Sequence, residues 1–266
     1  MIKNLKYLFK VFITIILFGG CEKVADFYIG IPFQPEFLTD DFTAGLNIFG
    51  IVRPDTSEKG VNNSFVHVQQ VIRAIGDSAE NIEIKNAQVT LIRKSQLQVA
   101  DSFLLKMDSV LHHQRNYYPV KDLSPKAGES YELKCSSDNL PVLWAFTTIP
   151  NEPVIQQRSV HQKAIEFEIA ADSTAFMYVI YLVQNNMQVF KKVILADRGK
   201  NHMVSIPENT ISGSELMVFA YDTNLANYIA NSNTAFNINK YKQYDDQVEG
   251  GYGVFGSLNF SKTIIE

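Results

Sequence analysis

Apolar and polar residues alternate in short stretches along most of this chain, and that period of two narrows most sharply what it can fold into. It is visible in Phe65-Val66-His67-Val68 and in Gln88-Val89-Thr90-Leu91. Successive side chains on a strand point to opposite faces, so alternation marks half-buried antiparallel strands instead of the continuous apolar runs of a parallel sheet. Strands are expected at residues 46–52, 65–72, 87–92, 131–135 and 142–148, each rich in β-branched and aromatic residues and bounded by Gly, Pro, Asn or Asp. The fold class expected is mainly all-β: two tandem immunoglobulin- or fibronectin-like β-sandwich domains with minor helical insertions.

The boundary between them is set at Thr148-Ile149-Pro150-Asn151-Glu152-Pro153, where two prolines interrupt the pattern. This gives an N-terminal sandwich over 38–150 and a C-terminal one over 151–266 that carries a Gly-rich tail. Strands in the second half are expected at 164–170, 176–184, 189–195, 203–206 and 215–221, with a hairpin turn at Asn185-Asn186 because Asn tolerates positive φ. Asp222 to Ala230 reads as a helical turn capped by Asp222 or Thr223. Between Ser95 and His113, Leu97, Ala100, Leu104, Met107 and Leu111 fall at helical spacing; the competing reading is two strands with a turn at Asp101 or Asp108. Tyr131 follows the turn Ser124-Pro125-Lys126-Ala127-Gly128, where a tyrosine corner would fold its hydroxyl onto upstream backbone. Trp144, on the next strand, and Cys135 are assigned to the core.

The first residues bear on the compartment. Lys3, Lys6 and Lys10 precede the apolar run Val11 to Phe18, which is well under the ~20 residues a membrane-spanning helix needs. Residues 1–20 therefore read as an export signal. The sequence Gly19-Gly20-Cys21 that follows resembles a bacterial lipoprotein lipobox, with Phe18 where such boxes usually carry Leu. Cys21 is the expected lipidation site, and residues 21–37, with Pro32 and Pro35, are the expected tether. An ordinary signal peptide with an incidental Cys21 is the competing reading. With Cys21 acylated, Cys135 has no disulfide partner, and the expected mature chain of 246 residues (266 minus 20) relies on its core.

Charge removes one class of partner. Lysines and arginines number 24 against 28 acidic residues, and loss of the three leader lysines takes the net charge from −4 to about −7. That is the reverse of a nucleic-acid-binding footprint.

Candidate chemical motifs fail on their surroundings. Gly251, Gly253 and Gly256 spell G-x-G-x-x-G, but no βα unit precedes them and the residues after them read as strand, so no dinucleotide cradle is expected and the segment reads as a turn or bulge in which Tyr252, Val254 and Phe255 dock on the second domain. Gly76-Asp77-Ser78 is similar to the first block of the Gly-Asp-Ser hydrolases, yet none of the five histidines has Asp three positions before it. His112-His113 lacks neighbouring ligands for a metal. Asp40-Asp41 and Asp245-Asp246 read as solvated loop charges, while Tyr117, Tyr118, Tyr241, Tyr244 and Tyr252 are candidates for stacking on sugar rings. The expectation is a protein without catalytic residues, cofactor or metal.

Cys21, LNIFGIVRPD at 46–55, NAQVTL at 86–91, AGESYEL at 127–133, TTIP at 147–150 and GGYGVFGS at 250–257, in that order, resemble a family of Bacteroidetes cell-envelope lipoproteins catalogued as a domain of unknown function. Members are often encoded beside TonB-dependent outer-membrane receptors. The resemblance thus implies an outer-membrane lipoprotein that is an accessory or ligand-binding subunit of an uptake system. It leaves the leaflet open and carries over no site residues. The alternative is a stand-alone surface adhesin or structural envelope protein, with a glycan as one candidate ligand.

Overall fold

A computed structural model describes residues 44–56, 62–71, 83–94, 101–108, 116–120, 123–161, 164–185, 187–197, 199–207, 213–232 and 248–265. The described chain is mostly β, as the alternation predicts. Its first half holds β1 (Leu46–Val52), β2 (Phe65–Gln70), β3 (Gln88–Lys94), β4 (Asp101–Asp108), β5 (Asn116–Pro119), β6 (Ser130–Ser136) and β7 (Leu143–Thr148). The second half holds β8 (Ile155–His161), β9 (Ala164–Ile169), β10 (Met177–Gln184), β11 (Met187–Leu195), β12 (His202–Pro207), β13 (Glu215–Tyr221), the helix α1 (Thr223–Ser232), β14 (Val248–Glu249) and β15 (Tyr252–Ile264).

These strands form a 12-stranded sheet, ordered β11-β10-β13-β15-β1-β2-β5-β4-β3-β6-β7-β14, and a three-stranded sheet, ordered β12-β9-β8. Two cores follow from the alternation. In the first half, Leu46, Ile48, Val66, Val68, Val89, Leu91, Leu133, Cys135, Leu143 and Ala145 turn to one side of their strands and are buried together. In the second half, Ile180 and Leu182 of β10 and Leu216 and Val218 of β13 meet Ile165 and Phe167 of β9 and Val204 and Ile206 of β12. The second half is therefore two packed layers, each buried Leu, Ile, Val or Phe side chain contributing about 1.5–3 kcal/mol.

The C-terminal strand joins the two halves. Residues 252–257 of β15 pair parallel with β1, from Asn47 opposite Tyr252 to Val52 opposite Ser257. Residues 258–264 pair antiparallel with β13, from Leu258 opposite Tyr221 to Ile264 opposite Glu215. The Gly-rich segment is thus a strand of the central sheet paired with the first half, not a turn docked on the second. Its glycines have packing reasons. Gly253 sits at φ +105°, and a Cβ there would stand 1.9 Å from the Ile48 carbonyl oxygen. At Gly256 a Cβ would meet Leu225 Cγ at 2.5 Å, so only glycine lets α1 approach the sheet.

Of the two readings of Ser95 to His113, the strand one holds where the residues are described: Asp101–Asp108 is a strand between β3 and β5. Phe103, Leu105 and Met107 turn toward the first core while Leu104 is 49% exposed, so a period of two inside the segment overrides the helical spacing that spans it; residues 95–100 and 109–113 lie outside the described ones. Two other expectations are corrected. Tyr131 is fully buried, but its hydroxyl donates to Glu129 Oε2 at 2.8 Å, not to backbone. The same carboxylate oxygen accepts the Lys126 backbone N–H at 2.9 Å, so the corner reaches the upstream chain through Glu129. Trp144 is half-buried, with Lys134 Nζ 4.6 Å from its ring centre, where a core position was expected.

The turn and cap expectations hold. Asn185 has φ 51°, and Gln184 pairs with Met187 across that turn. Asp222 Oδ1 accepts the Leu225 N–H at 2.9 Å, which makes Asp222 the cap of α1.

Candidate functional site

A buried polar cluster lies where the end of β7, the middle of β15 and the start of α1 converge. Thr147 Oγ1 donates to Asp222 Oδ2 and lies 2.8 Å from Ser257 Oγ, which in turn donates to the Thr148 carbonyl at 2.8 Å. Asn224 Nδ2 donates to the Phe146 and Phe255 carbonyls at 2.7 and 2.8 Å, and Asn259 Nδ2 to the Pro150 carbonyl at 3.1 Å. Burial raises the Asp222 carboxyl to about 6, while hydrogen bonds from Thr147, the Leu225 N–H and Ser257 pull it partly back.

A serine, a threonine and an aspartate in contact invite comparison with a nucleophile site. Activation needs a base on the hydroxyl and an open path to it. Ser257 is fully buried and its hydroxyl is engaged by Thr147 and by backbone. Asp222 is committed to the helix cap. The arrangement clasps β7 and α1 onto β15. Sequence reasoning found Asp222 as a cap but not its partners, because Thr147 and Ser257 lie 110 positions apart.

The other sequence candidates separate cleanly. Cys135 is a free, buried thiol that burial pushes up to about 12, so it packs and does not react. Tyr117 is 2% exposed and its hydroxyl donates to the Ile84 carbonyl at 2.7 Å and accepts the Ala87 N–H at 2.9 Å. Tyr118 is 7% exposed and lies 6.3 Å from the ring of Phe65. Neither presents a ring face to a sugar, which corrects the stacking expectation for this pair. Tyr252 is half-buried, with its ring against Gly45. Cys21, Asp40, Asp41, Gly76 to Ser78, His112, His113, Tyr241, Tyr244, Asp245 and Asp246 lie outside the described residues. Among the described residues, no group of three or more His, Cys, Asp or Glu side chains is placed to hold a metal ion.

One surface stands out instead. On the side of the large sheet that carries α1, half-buried aromatic residues cross β10, β13 and β15. Phe260 of β15 stacks on Phe219 of β13, 5.1 Å between ring centres, and Tyr181 of β10 meets Phe219 edge-on at 5.6 Å. Arg53, just after β1, lies over Phe260 at 5.8 Å, and Lys191 of β11 over Tyr181 at 5.7 Å. On the same side Phe49 touches Phe65 and Tyr228, at 6.0 and 5.5 Å. Beyond Tyr181 the surface runs to exposed Val193 and Leu195 on β11. Aromatic rings with cations at the margin bind by area and charge, without a chemical step. No protein-family model and no curated protein matches this chain.

Proposed function

We propose that this protein is a lipid-anchored outer-membrane subunit, non-catalytic, that assists a TonB-dependent receptor in nutrient uptake. The observation that carries the reading is the N-terminal order: three lysines, an eight-residue apolar run from Val11 to Phe18, then Gly19-Gly20-Cys21. A chain held to a membrane by acyl groups on Cys21 has its binding surfaces free for a neighbour. The broad aromatic face and the commitment of the buried Thr147, Asp222 and Ser257 side chains to packing support binding over catalysis.

The test is gentle detergent extraction of the tagged protein from its native envelope, with mass spectrometry of whatever stays bound. A TonB-dependent β-barrel at stoichiometric yield is the expected result. Recovery of the protein alone overturns the reading and moves the assignment to the stand-alone adhesin or structural envelope protein, for which the exposed apolar residues along β11 are the favouring observation.

A further inference from the structure

Asp222, Thr147 and Ser257 form a chain of oxygens whose protons can be counted. Its contacts are Asp222 Oδ2 with Thr147 Oγ1, Thr147 Oγ1 with Ser257 Oγ at 2.8 Å, and Ser257 Oγ with the Thr148 carbonyl at 2.8 Å. A hydroxyl carries one proton, a carbonyl and an ionised carboxylate none. With Asp222 ionised, two protons serve three contacts, and whichever way the hydroxyls turn, two oxygens meet with no proton between them. All three residues are buried, where an unmade hydrogen bond is costly. A proton on Asp222 Oδ2 completes the chain: the carboxyl donates to Thr147, Thr147 to Ser257, and Ser257 to the Thr148 carbonyl. Asp222 Oδ1 meanwhile still accepts the Leu225 N–H at 2.9 Å, so the cap of α1 is kept.

We propose that this chain is a proton-operated latch: with Asp222 protonated it holds α1 and β7 to β15, and ionisation of Asp222 releases α1. The surface under α1 is apolar. Leu225 is buried with Phe49 of β1 and with Val254 and Leu258 of β15, and Ala226 with Met177 and Val179 of β10. Release therefore enlarges the aromatic face on that side of the sheet. The elements packed around Asp222 leave the switching to this one carboxyl. β7 and α1 contain no Asp, Glu, His, Lys or Arg. Lys262 of β15 pairs with Glu215 of β13, and Arg53, just after β1, pairs with Asp55. The remaining titratable groups are the phenols of Tyr221, Tyr228 and Tyr252, and burial pushes that of Tyr221 further up. Burial raises the Asp222 carboxyl to about 6 from 3.8, so the latch is fully made below about 3.8 and is lost as the pH rises through about 6. This inference goes beyond the importer reading and stands or falls without it, because its test contains no receptor and no membrane.

The test is hydrogen–deuterium exchange of the full chain at pH 5 and pH 7, read by mass spectrometry on peptides covering 223–232, 88–94 and 130–136 and corrected for the intrinsic rate. Local opening should make α1 less protected than β3 and β6, and its protection should fall about tenfold from pH 5 to pH 7. In Asp222→Asn the amide supplies a donor and an acceptor at every pH, so α1 should keep at pH 7 the protection it has at pH 5. Three results would each overturn the inference: α1 protection that does not change with pH, α1 protection equal to that of β3 and β6, or a pH dependence that survives in Asp222→Asn. The first two are read on the unsubstituted protein.

Discussion

Asp222 shows how much one residue does here. It caps α1 and fastens Thr147 of β7, and its burial, outweighing the hydrogen bonds it accepts, pushes its carboxyl up to about 6 from an ordinary value of 3.8. A carboxyl raised on folding binds its proton more tightly in the folded state. Its favourable contribution is therefore fully present below about 3.8 and is lost as the pH rises through about 6. Between pH 7 and pH 5 it should add about 1 kcal/mol to stability. Asp222→Asn keeps a capping side chain and removes the titration, so urea unfolding at the two pH values should show that gain in the parent protein and not in the variant. An equal gain in both would place the effect elsewhere. The cap was legible from the sequence because it is local, Asp222 standing immediately before a short helical pattern. The clasp was not, since its hydroxyls come from strands far apart in the chain.

At the scale of elements, most strands were readable because each carries its own alternation, and β1 and β13 match their expected bounds, residues 46–52 and 215–221. The sequence left the choice open where two periods compete. In β4, Leu104 and Met107 fit a helix, yet Phe103, Leu105 and Met107 fit a strand, and pairing with β3 and β5 decides between them. The strand predicts opposite behaviour for adjacent leucines. Leu105→Ala, at a site 3% exposed, should cost about 2–5 kcal/mol, and Leu104→Ala, at a site 49% exposed, less than about 0.5 kcal/mol, as measured by urea midpoints. A helical segment with Leu104 on its apolar stripe would reverse the order. The Gly-rich segment hid its strand for a different reason. Glycine weakens every local strand signal, and the need for it at Gly253 and Gly256 comes from Ile48 and Leu225, which no local pattern reveals.

For the whole molecule, the all-β character follows from alternation repeated along the chain, whereas the sharing of β15 does not, because pairing order is a long-range property. The first core takes in Val248 and Phe255 as well as residues before 150, and one strand divides its partners: 252–257 pair with β1 and 258–264 with β13. Loss of either half would strip β15 of half its ladder, and the Thr147, Asp222 and Ser257 clasp ties the same regions together. Calorimetry of the chain should accordingly give one unfolding transition with equal calorimetric and van't Hoff enthalpies, and two resolved transitions would show the halves to be independent. The account as a whole rests on the anchor, since a binding face serves a membrane receptor only if the chain is held at the membrane. The most direct measurement is the mass of the N-terminal peptide of the protein taken from separated outer membranes. The account predicts a chain beginning at Cys21 with a thioether-linked diacylglycerol; a chain beginning elsewhere, or an unmodified Cys21, would contradict it.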